Sequence, residues 1–159
     1  MLVFHGSTTI VNEPEIRISD RFLDFGYGFY VTINKEQAIK WAEKQKSRKL
    51  SKNSYISSYE FDIESAKSEL KIIHFSEADK DWLEFVFNNR KGHCNEEYDI
   101  AIGPVADDGV YEVIRFYETG IYNLEETLKR LKVEEQYNQI LFHTEKSLKY
   151  LKFLTKEEL

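Results

Sequence analysis

The stretch Asp24-Phe25-Gly26-Tyr27-Gly28-Phe29-Tyr30-Val31-Thr32 decides how this chain is read. Two glycines separated by one residue let the backbone bend sharply. The aromatic and β-branched run Phe29–Thr32 leaves that bend as a short strand. Asn34, with Gln37 three positions on, reads as a capping box. It predicts a helix to about Lys46 that buries Ala38, Ile39, Trp41 and Ala42. Upstream, Leu2-Val3-Phe4 reads as a buried strand ending in His5-Gly6-Ser7-Thr8, and Asp20 to Gly28 is the loop between the two.

Downstream the strand and helix patterns alternate. Tyr55–Asp62 alternates as a strand with Tyr55, Tyr59 and Phe61 on one face. Leu70–Phe75 is another strand. Ser76, with Asp79 three on, predicts the start of a helix carrying Trp82, Leu83, Phe85, Val86 and Phe87 and ending near Gly92. The near-continuous apolar run Tyr98–Val105 marks a strand buried on both faces. Asp107 or Asp108 starts a helix towards Gly120. Asn123 with Glu126 caps another to Lys132. Ile140-Leu141-Phe142 is a last short strand, and Thr144 caps a final helix or turn before Leu148–Leu154. Short strands with flanking helices predict an α+β domain over residues 1–159. Trp41, Trp82 and Phe85 are expected in the core.

Composition excludes several classes. Lys plus Arg is 22 and Asp plus Glu is 28, so the net charge of −6 argues against a general nucleic-acid coat. The basic run from Lys44 to Lys52 reads as a solvated helix face. One cysteine, Cys94, leaves no internal disulfide framework and no Cys-pair zinc site; a reducing, cytoplasmic location is expected. No apolar stretch is long enough for a membrane span, and the start lacks the basic region of a signal peptide. The Rossmann glycine fingerprint, the phosphate loop, His-Glu-x-x-His and the Gly-x-Ser-x-Gly elbow are all absent from the sequence.

What remains is Phe4-His5-Gly6-Ser7 together with Gly26-Tyr27-Gly28-Phe29-Tyr30. The first places an imidazole and a bare backbone at a strand end, where a ligand can approach closely. The second presents a tyrosine from a strand as a stacking surface with little entropy left to lose. The pair resembles the ADP-ribosyltransferase superfamily, in the His-Tyr-Glu class of diphtheria toxin and the poly(ADP-ribose) polymerases. Those enzymes carry a His-Gly-Ser/Thr strand end and, two or three dozen residues later, Gly-x-Gly-x-Tyr-Phe and a helix. More closely the chain resembles an uncharacterised bacterial domain family grouped with that superfamily. In that family the Asp-Phe-Gly-x-Gly-Phe-Tyr segment, the Asp99–Asp108 segment and a Gln-x-x-Phe-His segment recur.

The resemblance implies a split β-sheet core flanked by helices and a mono-ADP-ribosyltransferase, a glycosyltransferase-class enzyme with NAD as its substrate. It implies that His5 bonds the adenosine ribose, that the Gly6 backbone holds the nicotinamide amide with Ser7 and Gly28 beside it, and that Tyr30 stacks on the nicotinamide ring. The superfamily's third motif is a glutamate on a late strand, and here Gln139 stands in its place within Tyr137–His143. A Gln bonds a hydroxyl but supplies no negative charge. That favours single transfer over chain elongation and leaves Asp107, Asp108 or Glu135 as alternative carboxylates. The acceptor is a protein or nucleic acid, chosen in this superfamily by the loop at about 117–138. The size of the chain resembles the toxin of a bacterial toxin–antitoxin pair, with a small antitoxin protein as partner. Two rival readings stand beside it. One is a non-catalytic NAD or ADP-ribose binding module. The other is a small nuclease toxin using His5 or His143 for acid–base work and the Lys44–Lys52 run on nucleic acid. No metal ligand is assigned.

Overall fold

The computed structural model describes residues 1–18, 23–93, 97–105, 108–131 and 138–159. Its elements follow the chain in the order β1 (Leu2–Ser7), β2 (Phe29–Thr32), α1 (Lys35–Lys49), β3 (Tyr55–Phe61), α2 (Ile63–Glu69), β4 (Ile72–His74), α3 (Lys80–Arg90), β5 (Ile100–Pro104), α4 (Asp108–Glu118), α5 (Leu124–Leu131), β6 (Asn138–Phe142), α6 (Glu145–Leu148) and β7 (Leu151–Glu158). Among the described residues the strands form one seven-stranded sheet in the order β4-β5-β6-β2-β1-β3-β7. β4 and β5 run parallel and every other neighbouring pair is antiparallel. This mixture of sheet and helices is the expected α+β class.

Side-chain alternation sorts the strands into two faces. On one face, Ile56 and Phe4 pack against Ala38 and Ala42 of α1. On the same face but further along the sheet, Ala101 and Leu141 sit under Trp82, Leu83, Phe85, Val86, Val110, Ile114 and Leu131 of α3, α4 and α5. The other face buries Val3, Phe29, Val31, Tyr59, Phe61, Ile140 and Phe142, with Ala66 of α2 against them. The first face thus carries two separate helical covers, and β2 lies where they meet.

Most elements form where the sequence predicts, and the differences have local causes. β1 extends through Ser7 because Leu2–Ser7 pairs residue by residue with β3. α3 is capped by Asp79, whose carboxylate accepts from the Trp82 N–H at 2.9 Å, rather than by Ser76. α2 was not foreseen; Asp62 caps it by accepting from the Ser65 N–H, but its heptapeptide buries only Ala66, too little periodicity to read. β7 was not foreseen either. It is an edge strand with most residues exposed, so pairing with β3, not burial, makes it a strand. Thr144 precedes α6 without a side-chain cap bond, because its hydroxyl donates to Asp99 at 2.9 Å. Trp82 and Phe85 are core residues as expected, whereas Trp41 and Ile39 of α1 are only half-buried.

Candidate functional site

His5 lies near the end of β1, opposite Ser57 of β3. The ladder between β1 and β2 is in register at Phe4 and Thr32. Beyond that pair the His5 side chain takes over: its Nδ1 lies 2.7 Å from the Tyr30 carbonyl. A carbonyl only accepts, so Nδ1 carries the proton and neutral His5 presents Nε2 as a bare acceptor. The ring is tilted over Phe29 with centroids 4.5 Å apart. Burial lowers its pKa below the usual histidine range, against the opposing effect of the Tyr30 carbonyl, and the positive charges of Arg17 and Lys49 lower it further. His5 is therefore a neutral hydrogen-bond acceptor at pH 7, suited to a ligand hydroxyl.

Gly6 points the other way. A Cβ there would sit 1.9 Å from the Ala38 carbonyl oxygen and 3.0 Å from the Ala42 nitrogen. Helix α1 rests directly on this strand, and only glycine admits it. Ser7 is buried with its hydroxyl committed to the Thr9 main chain, donating to the carbonyl and accepting from the N–H. Its oxygen serves a local turn.

Tyr30 projects from β2 onto the face covered by α3, α4 and α5 and is half-buried there. Its hydroxyl donates to the Gly26 carbonyl at 2.6 Å and accepts from the Phe25 N–H at 3.3 Å. Burial, and then the nearby charge of Asp24, raise its pKa well above the usual phenol range. Gly28 enters the strand at φ 145°, and a Cβ there would lie 2.2 Å from the Phe142 carbonyl oxygen, so the turn fits against β6 only without a side chain. At the head of the turn, Asp24 sits 3.9 Å from the Arg90 guanidinium, which is equally far from Glu118 and stacks over Tyr111 at 4.4 Å. Burial drives the Asp24 pKa up to about 6; Arg90 pulls it down and Glu118 pushes it up.

Gln139 stands on β6, paired with Thr32 of β2 on one side and Gly103 of β5 on the other. It is 3% exposed, and among the described residues its Nε2 has no hydrogen-bond partner. Beside it a buried polar cluster is complete. The Thr32 hydroxyl lies 3.0 Å from both Gln37 Oε1 and the Asn138 carbonyl, and it accepts from the Asn34 N–H at 3.1 Å. Asn34 in turn caps α1 by accepting from the Gln37 N–H, as its spacing predicts.

The structure brings Gly6, Tyr30 and Gln139 onto one face of the sheet. It turns the side chains of His5 and Ser7 to the opposite face, with Gly28 at the turn before β2. His5 still meets the Tyr30 main chain in the plane of the sheet, at the place where the β1–β2 ladder ends. Of the alternative carboxylates, Asp107, Glu135 and the Asp108 side chain lie outside what the structure describes, as does Cys94. Among the described residues no group of three His, Cys, Asp or Glu side chains is placed to hold a metal.

The chemistry on offer is a bare imidazole acceptor, an unpartnered amide donor and a buried carboxylate with a raised pKa. Asp24 heads the Asp24–Thr32 stretch, yet only its burial beside Arg90 sets it apart. Arg90 and Glu118 gave no signal, because their meeting depends on how α3 and α4 pack. Gln37 was legible only as a cap; its side chain instead ties the start of α1 to β2.

No helix among the described residues is long and apolar enough to cross a membrane. No curated protein and no solved structure matches the chain. The model of one family, described as a protein of unknown function (DUF3990), matches residues 1–153. That match takes in β1, the glycine turn, β2 and the strand that carries Gln139, and by it the chain belongs to the DUF3990 family.

Proposed function

We propose that the protein is a mono-ADP-ribosyltransferase that uses NAD to modify a protein or nucleic acid. The observation that carries this reading is the unpartnered amide of Gln139, buried on the strand next to the one that bears Tyr30. A buried donor without a partner costs on the order of 1–3 kcal/mol, which a ligand acceptor recovers on binding. A dinucleotide rich in sugar hydroxyls supplies such an acceptor. In the reaction the bond between nicotinamide and the ribose breaks and nicotinamide leaves with the electron pair. The acceptor's nucleophilic atom then bonds the ribose carbon and sheds its proton. Gln139 holds a ribose hydroxyl through this step; the His5 ring, on the opposite face of the sheet, is not placed to share that dinucleotide. As the toxin of a toxin–antitoxin pair, the protein would be silenced by a small antitoxin.

The test is nicotinamide release from NAD by the pure protein. Release is expected, and Gln139→Ala should lower turnover far more than NAD affinity, since charge builds on the sugar only in the transition state. Gln139→Glu should keep or raise release, because a carboxylate stabilises that charge better than an amide. Full activity of Gln139→Ala would remove this residue from the site. The neutral amide also favours a second reading, a module that binds NAD or ADP-ribose without cleaving it; binding without release would select it.

A further inference from the structure

Three consecutive carbonyls in the turn before β2 are each satisfied by a ring from a different part of the chain. The Tyr98 hydroxyl, just before β5, donates to the Phe25 carbonyl. The Tyr30 hydroxyl donates to the Gly26 carbonyl. His143, just after β6, places Nδ1 at 2.8 Å from the Tyr27 carbonyl. The His143 ring lies between two tyrosines: stacked on Tyr98 with centroids 4.6 Å apart and tilted on Tyr27 at 4.4 Å. The His143 backbone N–H donates to the Asp99 carbonyl at 2.8 Å, which anchors the residue to the start of β5. Asp99 is itself fixed. Burial pushes its carboxyl pKa up, but bonds from the Lys71 N–H, Lys146 and Thr144 prevail and hold it low.

A turn whose carbonyls find no strand partner takes its shape from whatever donors reach them. Two of the three donors lie outside the turn and its strand, and His143 is the one nearest the strand that carries Tyr30. We infer that His143 is a positioning residue: through the Tyr27 carbonyl its imidazole sets the Gly26–Gly28 turn, and through the turn the place of the Tyr30 ring. This assigns the histidine of the Phe142-His143 pair to holding the turn, in place of acid–base work. It also gives a physical reason for three distant segments to belong together, since the glycine turn, the start of β5 and the end of β6 meet at this ring. The consequence for NAD rests on the proposed function, whereas the hold on the turn does not.

Two variants separate the parts of the ring. His143→Phe keeps a ring between the tyrosines and loses the donor. His143→Asn loses the ring and keeps a donor near the position of Nδ1. Amide hydrogen exchange of residues 26–30 in the ligand-free protein reads the turn, and the exchange of β3 amides reads global stability. His143→Phe should speed exchange in the turn about tenfold, the loss of one hydrogen bond, and leave β3 unchanged. His143→Asn should restore most of the protection. If His143→Phe does not fold, His143→Leu, which also lacks a donor, takes its place. Unchanged exchange in the turn, or equal acceleration everywhere, overturns the inference. NAD binding measured on the same proteins should weaken with turn protection; if the wild-type protein binds no NAD, the functional reading falls while the exchange result still judges the turn.

Discussion

Tyr30 and Gln139 occupy adjacent strands on the same face, two rungs apart in the ladder of β2 and β6. Tyr30 spends its hydroxyl inside the protein, giving to Gly26 and taking from Phe25. Gln139 keeps an amide nitrogen with no partner among the described residues. Two residues that sequence alone ranks together thus have opposite duties in the ligand-free protein. Tyr30 supports the fold and offers a ligand only what remains of its ring. Gln139 leaves its amide donor unused by the described residues, and in the proposed function that donor meets the ligand.

The comparison predicts a large stability effect at Tyr30 and a small one at Gln139. Tyr30→Ala should cost about 3 kcal/mol in urea unfolding of the ligand-free protein, because it leaves a void beside the α3–α5 core. A cost under about 1 kcal/mol would mean that the ring is free for a ligand, and the contrast would fail.

Next comes Asp24, which stands at the head of the Tyr30 turn. Its folded pKa of about 6 lies above the ordinary 3.8, so the native state holds a proton that the unfolded chain releases. Stability from this group is present at low pH and is lost as pH rises from about 4 through 6, by roughly 2–3 kcal/mol. Asp24→Asn should remove that fall. His5 acts in the other direction. Its pKa is lowered, so its contribution is present above pH 6.5 and is lost as pH falls below it, when the unfolded chain takes up a proton that the native state refuses. The two slopes oppose each other in the wild-type protein. Unfolding of Asp24→Asn at pH 4 and pH 7 separates them, and an unchanged slope would refute the buried carboxylate.

Tyr30→Phe isolates the hydroxyl and should cost about 1–1.5 kcal/mol, because the ring stays while the Gly26 carbonyl and Phe25 N–H lose their partner. Smallest of all is Gln139→Leu. Replacing an unpartnered buried amide with a similar apolar shape should change ligand-free stability by less than about 1 kcal/mol, with a gain as the expected sign. A loss above about 2 kcal/mol would show that Gln139 is structural after all and erase the difference from Tyr30.

Much of the frame was legible because local signals agree with the packing. The glycine turn, the Phe29–Thr32 strand, the Asn34 cap and the Asn123 cap are all set by residues within a few positions of each other. The buried strand at Ile100–Pro104 was legible as an apolar run because neighbouring strands and both faces cover it. α2 and β7 escaped because each buries too little to leave a periodic trace. The half-burial of Trp41 escaped because a ring's size says nothing of which helix face meets the sheet.

Sequence by itself determined the strands that carry His5 and Tyr30 and the bend between them. It did so because turns, caps and alternation depend on short-range sterics and hydrogen bonding. Tertiary structure alone decided that His5 faces away from Gln139, that Ser7 serves a turn, that Asp24 meets Arg90 and that His143 closes on Tyr27. Those outcomes depend on strand register and on helices packing from opposite ends of the chain. A single step of register moves a side chain to the other face, and no local signal fixes that step.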